Sequence, residues 1–311
     1  MQKQRLLTLF ISVYSILICF FFLFSCKPST TQNGKLKIVC TTGIIEDALI
    51  NMYGDLAEIN AIMGPGVDPH LYKLSQSDVS LLTNADIIVH NGLHLEGKMS
   101  DVLQKLGRSK KVYALSDSLP KGKLRLLDAK SGVYDPHIWF DTDLWRTAVA
   151  KTSDAINADF PQFADANNKI ESYLQALDSI NELIQFKVAQ IDSNKRILIT
   201  SHDAFNYFGL AYGVHVRGLQ GVSTVAEYGL RDVTDLVNYI IENNVRTIFI
   251  ETSVSSRSID AVIKGCEAKG FKVSIGGKLY SDALGDKGTS EGTYMGMVIY
   301  NVNLMIKGWS K

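Results

Sequence analysis

The longest regular hydrophobic pattern in the chain lies near its middle, from about Asp165 to Ile191. Its apolar positions recur at steps of three and four residues, with polar residues between them: Ile170, Tyr173, Leu174, Leu177, Ile180, Ile184, Val188 and Ile191. This periodicity predicts one amphipathic helix, which would reach roughly 40 Å. Because the segment contains no Gly or Pro, we expect a continuous, rigid helix.

Short β-rich runs alternate with amphipathic segments on both sides of this helix. Before it, the pattern predicts strands at 36–40, 57–63, 86–89 and 111–114 and helices at 44–53, 75–83, 99–106 and 143–159. After it, strands are predicted at 196–200, 214–218, 247–250 and 271–275 and helices at 204–211, 231–243, 258–269 and 293–306. The fold class is therefore α/β, with two lobes, each a small parallel sheet flanked by helices, joined by one long rigid helix. We expect the lobes to cover residues 35–164 and 192–311, with the interdomain helix at 165–191.

The first part of the chain differs in character from the rest. Two basic residues precede an apolar run from Leu6 to Phe24, a pattern typical of an export signal, although the run also approaches the length of a membrane span. The sequence Leu23-Phe24-Ser25-Cys26 resembles a bacterial lipobox, which favours a signal peptide over residues 1–25 and lipidation of Cys26. Residues 26–34, rich in small and polar residues, would then form a tether.

The charge balance of the chain argues against one class of partner. The chain has 32 Lys plus Arg against 32 Asp plus Glu and no basic run, so nucleic acid is not an expected partner.

Within the two lobes, Cys40 lies on a predicted core strand and Cys266 on a predicted helix. We expect both to be small buried hydrophobic residues rather than a disulfide.

Two Asp-Pro-His sequences stand out before the long helix. In the first, the turn formers of 64–69 precede His70, and Pro69 restricts the backbone next to it. In the second, His137 precedes aromatic residues, and Asp141 is a candidate for orienting its imidazole. Both histidines are candidate metal ligands.

Two further candidates follow the long helix. His202 lies two residues past the predicted strand 196–200, and Asp282 lies in a Gly-rich loop after the predicted strand 271–275. Ligands of parallel α/β sheets bind beyond the carboxyl ends of the strands. Three imidazoles and one carboxylate suit a divalent transition metal. Asp203 and Asp286 compete with His202 and Asp282 as ligands on sequence grounds alone.

The remaining histidines have simpler interpretations. His90 and His94 lie near a strand end and are candidates for auxiliary ligands, although surface or loop roles are the more common case. His215 lies on a predicted strand, where a structural role is expected.

The segments Gly-Val-Asp-Pro-His70, Asp-Pro-His137-Ile-Trp, Thr-Ser-His202-Asp-Ala-Phe and Tyr-Ser-Asp282-Ala-Leu-Gly-Asp resemble the four ligand motifs of one family. That family is the metal-binding solute-binding lipoproteins of ABC importers for zinc and manganese. The resemblance covers nearly the whole mature chain, and it implies His70 and His137 as ligands from the first lobe and His202 and Asp282 from the second. It also implies one metal ion as cargo, an ABC permease as partner, a monomeric chain that is not an enzyme, and a lipid-anchored location outside the cytoplasmic membrane.

Some features bear on the metal and on competing functions. The third imidazole, at His202, favours zinc over manganese, because relatives that serve manganese commonly have a carboxylate there. Residues 116–134 lack the His-rich loop of many zinc members, and residues 222–229 depart from the family pattern. The alternatives are a zinc hydrolase, which keeps an open metal position, an adhesin, and a binder of chelated metal, which needs an open aromatic or Arg-lined cleft.

Overall fold

The structure is a computed structural model, and it describes residues 34–128, 130 and 132–310. The predicted signal peptide, Cys26 and nearly all of the predicted tether therefore lie outside the described residues. Among the helices that can be described, none combines the length and the apolar character needed to cross a bilayer.

The first half of the described chain is built on a four-stranded parallel sheet. Its strands are β1 (Leu36–Thr42), β2 (Ala57–Met63), β3 (Ile87–His90) and β4 (Lys111–Ala114), in the order β2-β1-β3-β4. Its helices are α1 (Gly43–Tyr53), α2 (Gln76–Asn84), α3 (Ser100–Leu106) and α4 (Thr142–Asp159). A short antiparallel pair, β5 (Leu126–Asp128) and β6 (Val133–Tyr134), precedes α4. The predicted βα alternation of this half is confirmed.

A single long helix, α5 (Asn167–Ala189), follows after a 3-10 turn at Pro161–Ala166. With 23 residues it is about 35 Å long. One face is buried, and it carries Ile170, Tyr173, Leu174, Leu177, Ile180, Ile184 and Val188. These residues belong to one continuous hydrophobic core that also contains residues of β1, α4 and the last helix. The helix is therefore fixed along its length by packing against both halves of the fold.

The second half contains two pairs of parallel strands. Strands β7 (Ile197–His202) and β8 (His215–Gln220) form one pair, and β9 (Thr247–Glu251) and β10 (Ser274–Leu279) form the other. The helices of this half are α6 (Asn206–Tyr212), α7 (Leu230–Glu242), α8 (Arg257–Ala268) and α9 (Tyr294–Trp309). The fold is thus α/β, with two lobes of parallel strands flanked by helices and joined by α5.

The last strand lies further along the chain than the predicted 271–275. Gly276 and Gly277 belong to β10, where the pairing with β9 shifts register between Ile275 and Gly277. A Cβ atom on Gly276 would lie 2.4 Å from the side chain of Thr247, so only glycine fits against the neighbouring strand. The Gly-Gly sequence, expected to lie in a loop, is therefore part of the sheet. Cys40 and Cys266 are both free and buried, as expected.

Candidate metal centre

Four loops and strand ends bring four ligand-type side chains to one point. His70 lies in the loop between β2 and α2, and His137 precedes the 3-10 helix Ile138–Phe140. His202 is the last residue of β7, and Asp282 follows β10. All four are buried, with at most 3% of their surface exposed. Their nearest nitrogen and oxygen atoms lie within 4.8 Å of one another, so the group could hold a metal ion.

Three of the separations between these side chains are close to the edge of a tetrahedral zinc site. The Nε2 atoms of His70 and His137 are 3.4 Å apart. Asp282 places Oδ1 3.4 Å from Nε2 of His137 and Oδ2 3.3 Å from Nε2 of His202. Two ligands, each about 2.0–2.1 Å from a tetrahedral zinc ion, are about 3.3–3.4 Å apart. The buried Nε2 of His202 and Oδ1 of Asp282 have no hydrogen-bond partner within the protein, which agrees with a role as ligands.

Two buried carboxylates orient two of the imidazoles. Asp135 Oδ1 lies 2.7 Å from Nδ1 of His137 and also accepts a hydrogen bond from the His137 backbone N–H. Glu251 Oε2 lies 2.6 Å from Nδ1 of His202, while its Oε1 accepts from the His202 backbone N–H. A carboxylate beside Nδ1 holds the proton on that nitrogen and leaves Nε2 free to bind a cation.

The expectation that Asp141 orients His137 is wrong. Asp141 Oδ1 instead accepts a hydrogen bond from the backbone N–H of Leu144 and caps the N-terminus of α4. The aromatic neighbour is Trp139, whose ring centroid is 5.3 Å from that of His137. Its indole N–H donates to the carbonyl of Ser281, next to Asp282, and so links the loops of two site residues.

His70 is held through its backbone rather than through its ring. Its N–H donates to Oδ1 of Asp68 at 2.8 Å. The other oxygen of Asp68 accepts from the hydroxyl of Thr224 at 2.6 Å. Thr224 lies in the segment 222–229 that departs from the family pattern, and this hydrogen bond ties that segment to the His70 loop.

The surroundings shift the pKa values of the three imidazoles in different directions. Burial lowers the pKa of His70 to about 4, so this ring is neutral at neutral pH. Burial acts in the same direction on His137, but Asp135 and Asp282 outweigh it and raise the pKa of His137. For His202, Glu251 and Asp282 outweigh burial and raise the pKa well above its usual value. Burial would raise the pKa of Asp282, yet His202 and His137 hold it well below its usual range. A divalent cation therefore competes with protons here.

The other sequence candidates do not join this group. His90 and His94 line a separate cavity of about 480 Å³, and His215 is exposed at the start of β8. Asp203 Oδ1 accepts from the backbone N–H of Gly218 at 2.5 Å. Asp286 is outside the group as well. Within the part of the chain that the structure describes, His70, His137, His202 and Asp282 form the one such cluster.

Sequence reasoning missed the part played by Glu251. The residue ends β9, and His202 ends β7. Carboxyl ends of parallel strands are where ligand-binding residues collect, so a carboxylate at the end of a predicted strand was an available signal.

Comparison with known proteins gives consistent matches. The family model described as zinc-uptake complex component A, periplasmic, matches residues 38–308. The manganese-binding lipoprotein MntA of Bacillus subtilis is 46% identical over 279 residues, covering 89% of this chain and 90% of its own. The zinc-binding protein TroA of Treponema pallidum is 40% identical over 281 residues, covering 90% and 91%.

Two further similarities concern the fold and the length of the chain. The solved structure of periplasmic TroA superimposes with a TM-score of 0.86 at 40% identity, covering 89% of this chain and 100% of that one. The manganese ABC transporter substrate-binding lipoprotein PsaA of Streptococcus pneumoniae is 29% identical over 315 residues, covering 98% of both chains.

Proposed function

Because the chain belongs to the family of periplasmic zinc-uptake components, we propose that it captures one divalent transition-metal ion outside the cytoplasmic membrane. It then delivers this ion to an ABC permease. The relatives support this proposal, since one is named as a zinc-binding protein and two are named as manganese-binding or manganese-transporter lipoproteins. The metal ion is the cargo of this protein rather than a resident cofactor.

The proposed ligands are His70, His137, His202 and Asp282. The observation that carries the proposal is the convergence of these four buried side chains, whose ligand atoms all lie within 4.8 Å of one another. Three of the N···N and N···O pairs, at 3.3–3.4 Å, are close to the edge of a tetrahedral zinc site. The orienting carboxylates of Asp135 and Glu251 give further support.

Zinc is the ion that we propose binds most tightly, and manganese is a second ion that the same site can hold. Three imidazoles and one carboxylate form a borderline-soft donor set, and the Irving–Williams order places manganese below zinc at such a site. We expect zinc to bind at least about tenfold more tightly, which is about 1.4 kcal/mol. Transport depends also on metal supply and on the rate of release to the permease.

We further propose that residues 1–25 are a signal peptide and that Cys26 carries lipid, with residues 26–34 as the tether. Support comes from the lipobox-like sequence and from the relatives named as lipoproteins. The mature chain would act as a lipid-anchored monomer outside the cytoplasmic membrane, in the periplasm or at the cell surface, with lobes at 35–164 and 192–311 on either side of the helix at 165–191.

The site favours binding over two alternatives. A catalytic zinc site usually keeps three protein ligands and an open position for water, whereas four side chains converge here. A chelated metal would need an open cleft, but the four side chains are buried. A role in capturing a bare ion and delivering it therefore fits the geometry best.

Metal analysis tests this proposal. Protein purified without chelator should contain one ion per mature chain, and zinc titration of the metal-free protein should give the same stoichiometry. His137→Ala and His202→Ala should each weaken zinc binding strongly, while the matched controls His90→Ala and His215→Ala should bind as the wild type does. Wild-type affinity in both site variants would contradict the ligand assignment.

A further inference from the structure

The carboxylate of Asp135 has more partners than an orienting group needs. Its side chain is fully buried, and Oδ1 faces both Nδ1 and the backbone N–H of His137. Its second oxygen, Oδ2, accepts from the amide of Asn206 at 3.1 Å and lies 3.5 Å from the guanidinium of Arg125. Asn206 is the first residue of α6, which lies in the other half of the chain from His137.

The amide of Asn206 connects two ligand segments. Besides Asp135, its Nδ2 donates to the backbone carbonyl of Asp203 at 2.9 Å. Asp203 directly follows His202, while Asp135 lies two residues before His137. One NH₂ group, with its two protons, therefore joins the segment of the His202 ligand to the carboxylate behind the His137 ligand.

The neighbouring Tyr207 holds the backbone of the same segment. Its hydroxyl donates to the carbonyl of Asp135 at 3.0 Å and accepts from the N–H of Arg125 at 2.9 Å. Arg125 and Asp135 are themselves joined, because the Asp135 N–H donates to the Arg125 carbonyl. The hydroxyl of Tyr207 thus holds the backbone of the segment just before His137.

We propose that Asn206 and Tyr207 are positioning residues that hold Asp135, and through it His137, in the geometry required for metal binding. Neither residue touches the site proposed for the ion, and this inference rests on the proposed function. Its consequence is that the His137 ligand of one lobe is aligned by a helix of the other lobe. The affinity for metal then depends on the position of α6 relative to Asp135, as well as on the four ligands.

The same helix offers a matched control. Tyr212, at the other end of α6, places its hydroxyl 2.9 Å from Thr142 Oγ1 and 2.9 Å from Asn181 Oδ1. It therefore also makes hydrogen bonds to neighbouring elements, but its hydroxyl bonds to neither Asp135 nor His137. Tyr212→Phe removes a comparable hydroxyl and should affect stability without affecting the site.

The test compares Asn206→Asp and Tyr207→Phe with Tyr212→Phe in the full mature chain, with zinc and Co²⁺ as the probes. Asn206→Asp keeps the shape of the side chain but turns the donor toward Asp135 into an acceptor. Partners that orient metal ligands typically change affinity by about 10- to 100-fold, and we expect about tenfold weaker zinc binding for both site variants. The d–d absorption bands of the Co²⁺-loaded protein should change too, because a shift of His137 changes the ligand field at the ion.

Tyr212→Phe should leave zinc affinity and the Co²⁺ spectrum unchanged, even where it lowers the melting temperature of the metal-free protein. Wild-type affinity and spectrum in Tyr207→Phe would overturn the inference, as would equal losses in Tyr207→Phe and Tyr212→Phe. This outcome is distinct from failure of the proposed function, in which the wild-type protein itself would not bind zinc.

Discussion

Replacing His202 by glutamate tests how the site selects its metal. The change makes the donor set richer in oxygen, which should narrow the difference in affinity between zinc and manganese. The structure adds a second effect, because Glu251 lies 2.6 Å from Nδ1 of His202 and is itself buried. In His202→Glu, a new carboxylate would face Glu251 at close range.

The size of this repulsion follows from the distance. Two unit charges about 4 Å apart interact with about 4 kcal/mol at an effective dielectric constant of about 20. The metal-free pair can avoid this repulsion by keeping a proton on one carboxylate, and metal binding must then displace that proton, at a cost of at most about a thousandfold in affinity. We therefore expect His202→Glu alone to bind both zinc and manganese weakly.

The double variant His202→Glu/Glu251→Gln should recover binding, because a glutamine amide can donate to the new carboxylate. Competition titrations against a chromophoric chelator would give the zinc and manganese affinities of the wild type, both single variants and the double variant. We predict the smallest zinc-to-manganese ratio in the double variant. Equal manganese affinity in His202→Glu and in the double variant would refute the assigned contact between positions 202 and 251.

Three further predictions concern protons, stability and motion. Since the pKa values of His137 and His202 are raised, metal binding should release protons, and the affinity for metal should rise with pH through the neutral range. Calorimetry in buffers of different ionisation enthalpy measures this proton release, and finding none would contradict the prediction. Burial raises the pKa of Asp47 from its usual 3.8 to about 6, so its charged form destabilises the fold above about pH 6 and not below about pH 4. The free energy of unfolding of Asp47→Asn should thus exceed that of the wild type by up to about 3 kcal/mol at pH 8 and by little at pH 4. An equal gain at both pH values would argue against a buried charge. Because α5 is continuous, the solution scattering curves of the metal-free and metal-bound protein should differ only slightly, with closure of the site confined to the loop around Asp282. Curves that require a large rotation of one lobe would refute this.

The elements that local patterns determine were predictable from the sequence. Helix α5 was expected at 165–191 and is observed at Asn167–Ala189, since its periodicity is long and no residue interrupts it. Strand ends in parallel sheets predicted the positions of His70, His202 and Asp282 at carboxyl edges, whereas the inclusion of His137 in the same group was expected from the family resemblance.

Contacts between distant parts of the chain were not predictable in the same way. Glu251 is 49 residues from His202, and Asn206 is 71 residues from Asp135, so no local period relates either pair. The position of Gly276 in a strand depends on close approach to Thr247 across the sheet. Asp135, in contrast, is two residues from His137, and a preference for this nearer carboxylate over Asp141 could have been argued from the sequence.

The most direct test of the proposed site is the position of the ion itself. Crystals of the mature chain grown with one equivalent of zinc would be measured above the zinc absorption edge. We predict one strong anomalous peak, at about 2.0–2.2 Å from Nε2 of His70, His137 and His202 and from a carboxylate oxygen of Asp282. A principal peak elsewhere, such as in the cavity lined by His90 and His94, with none between these four side chains, would contradict it.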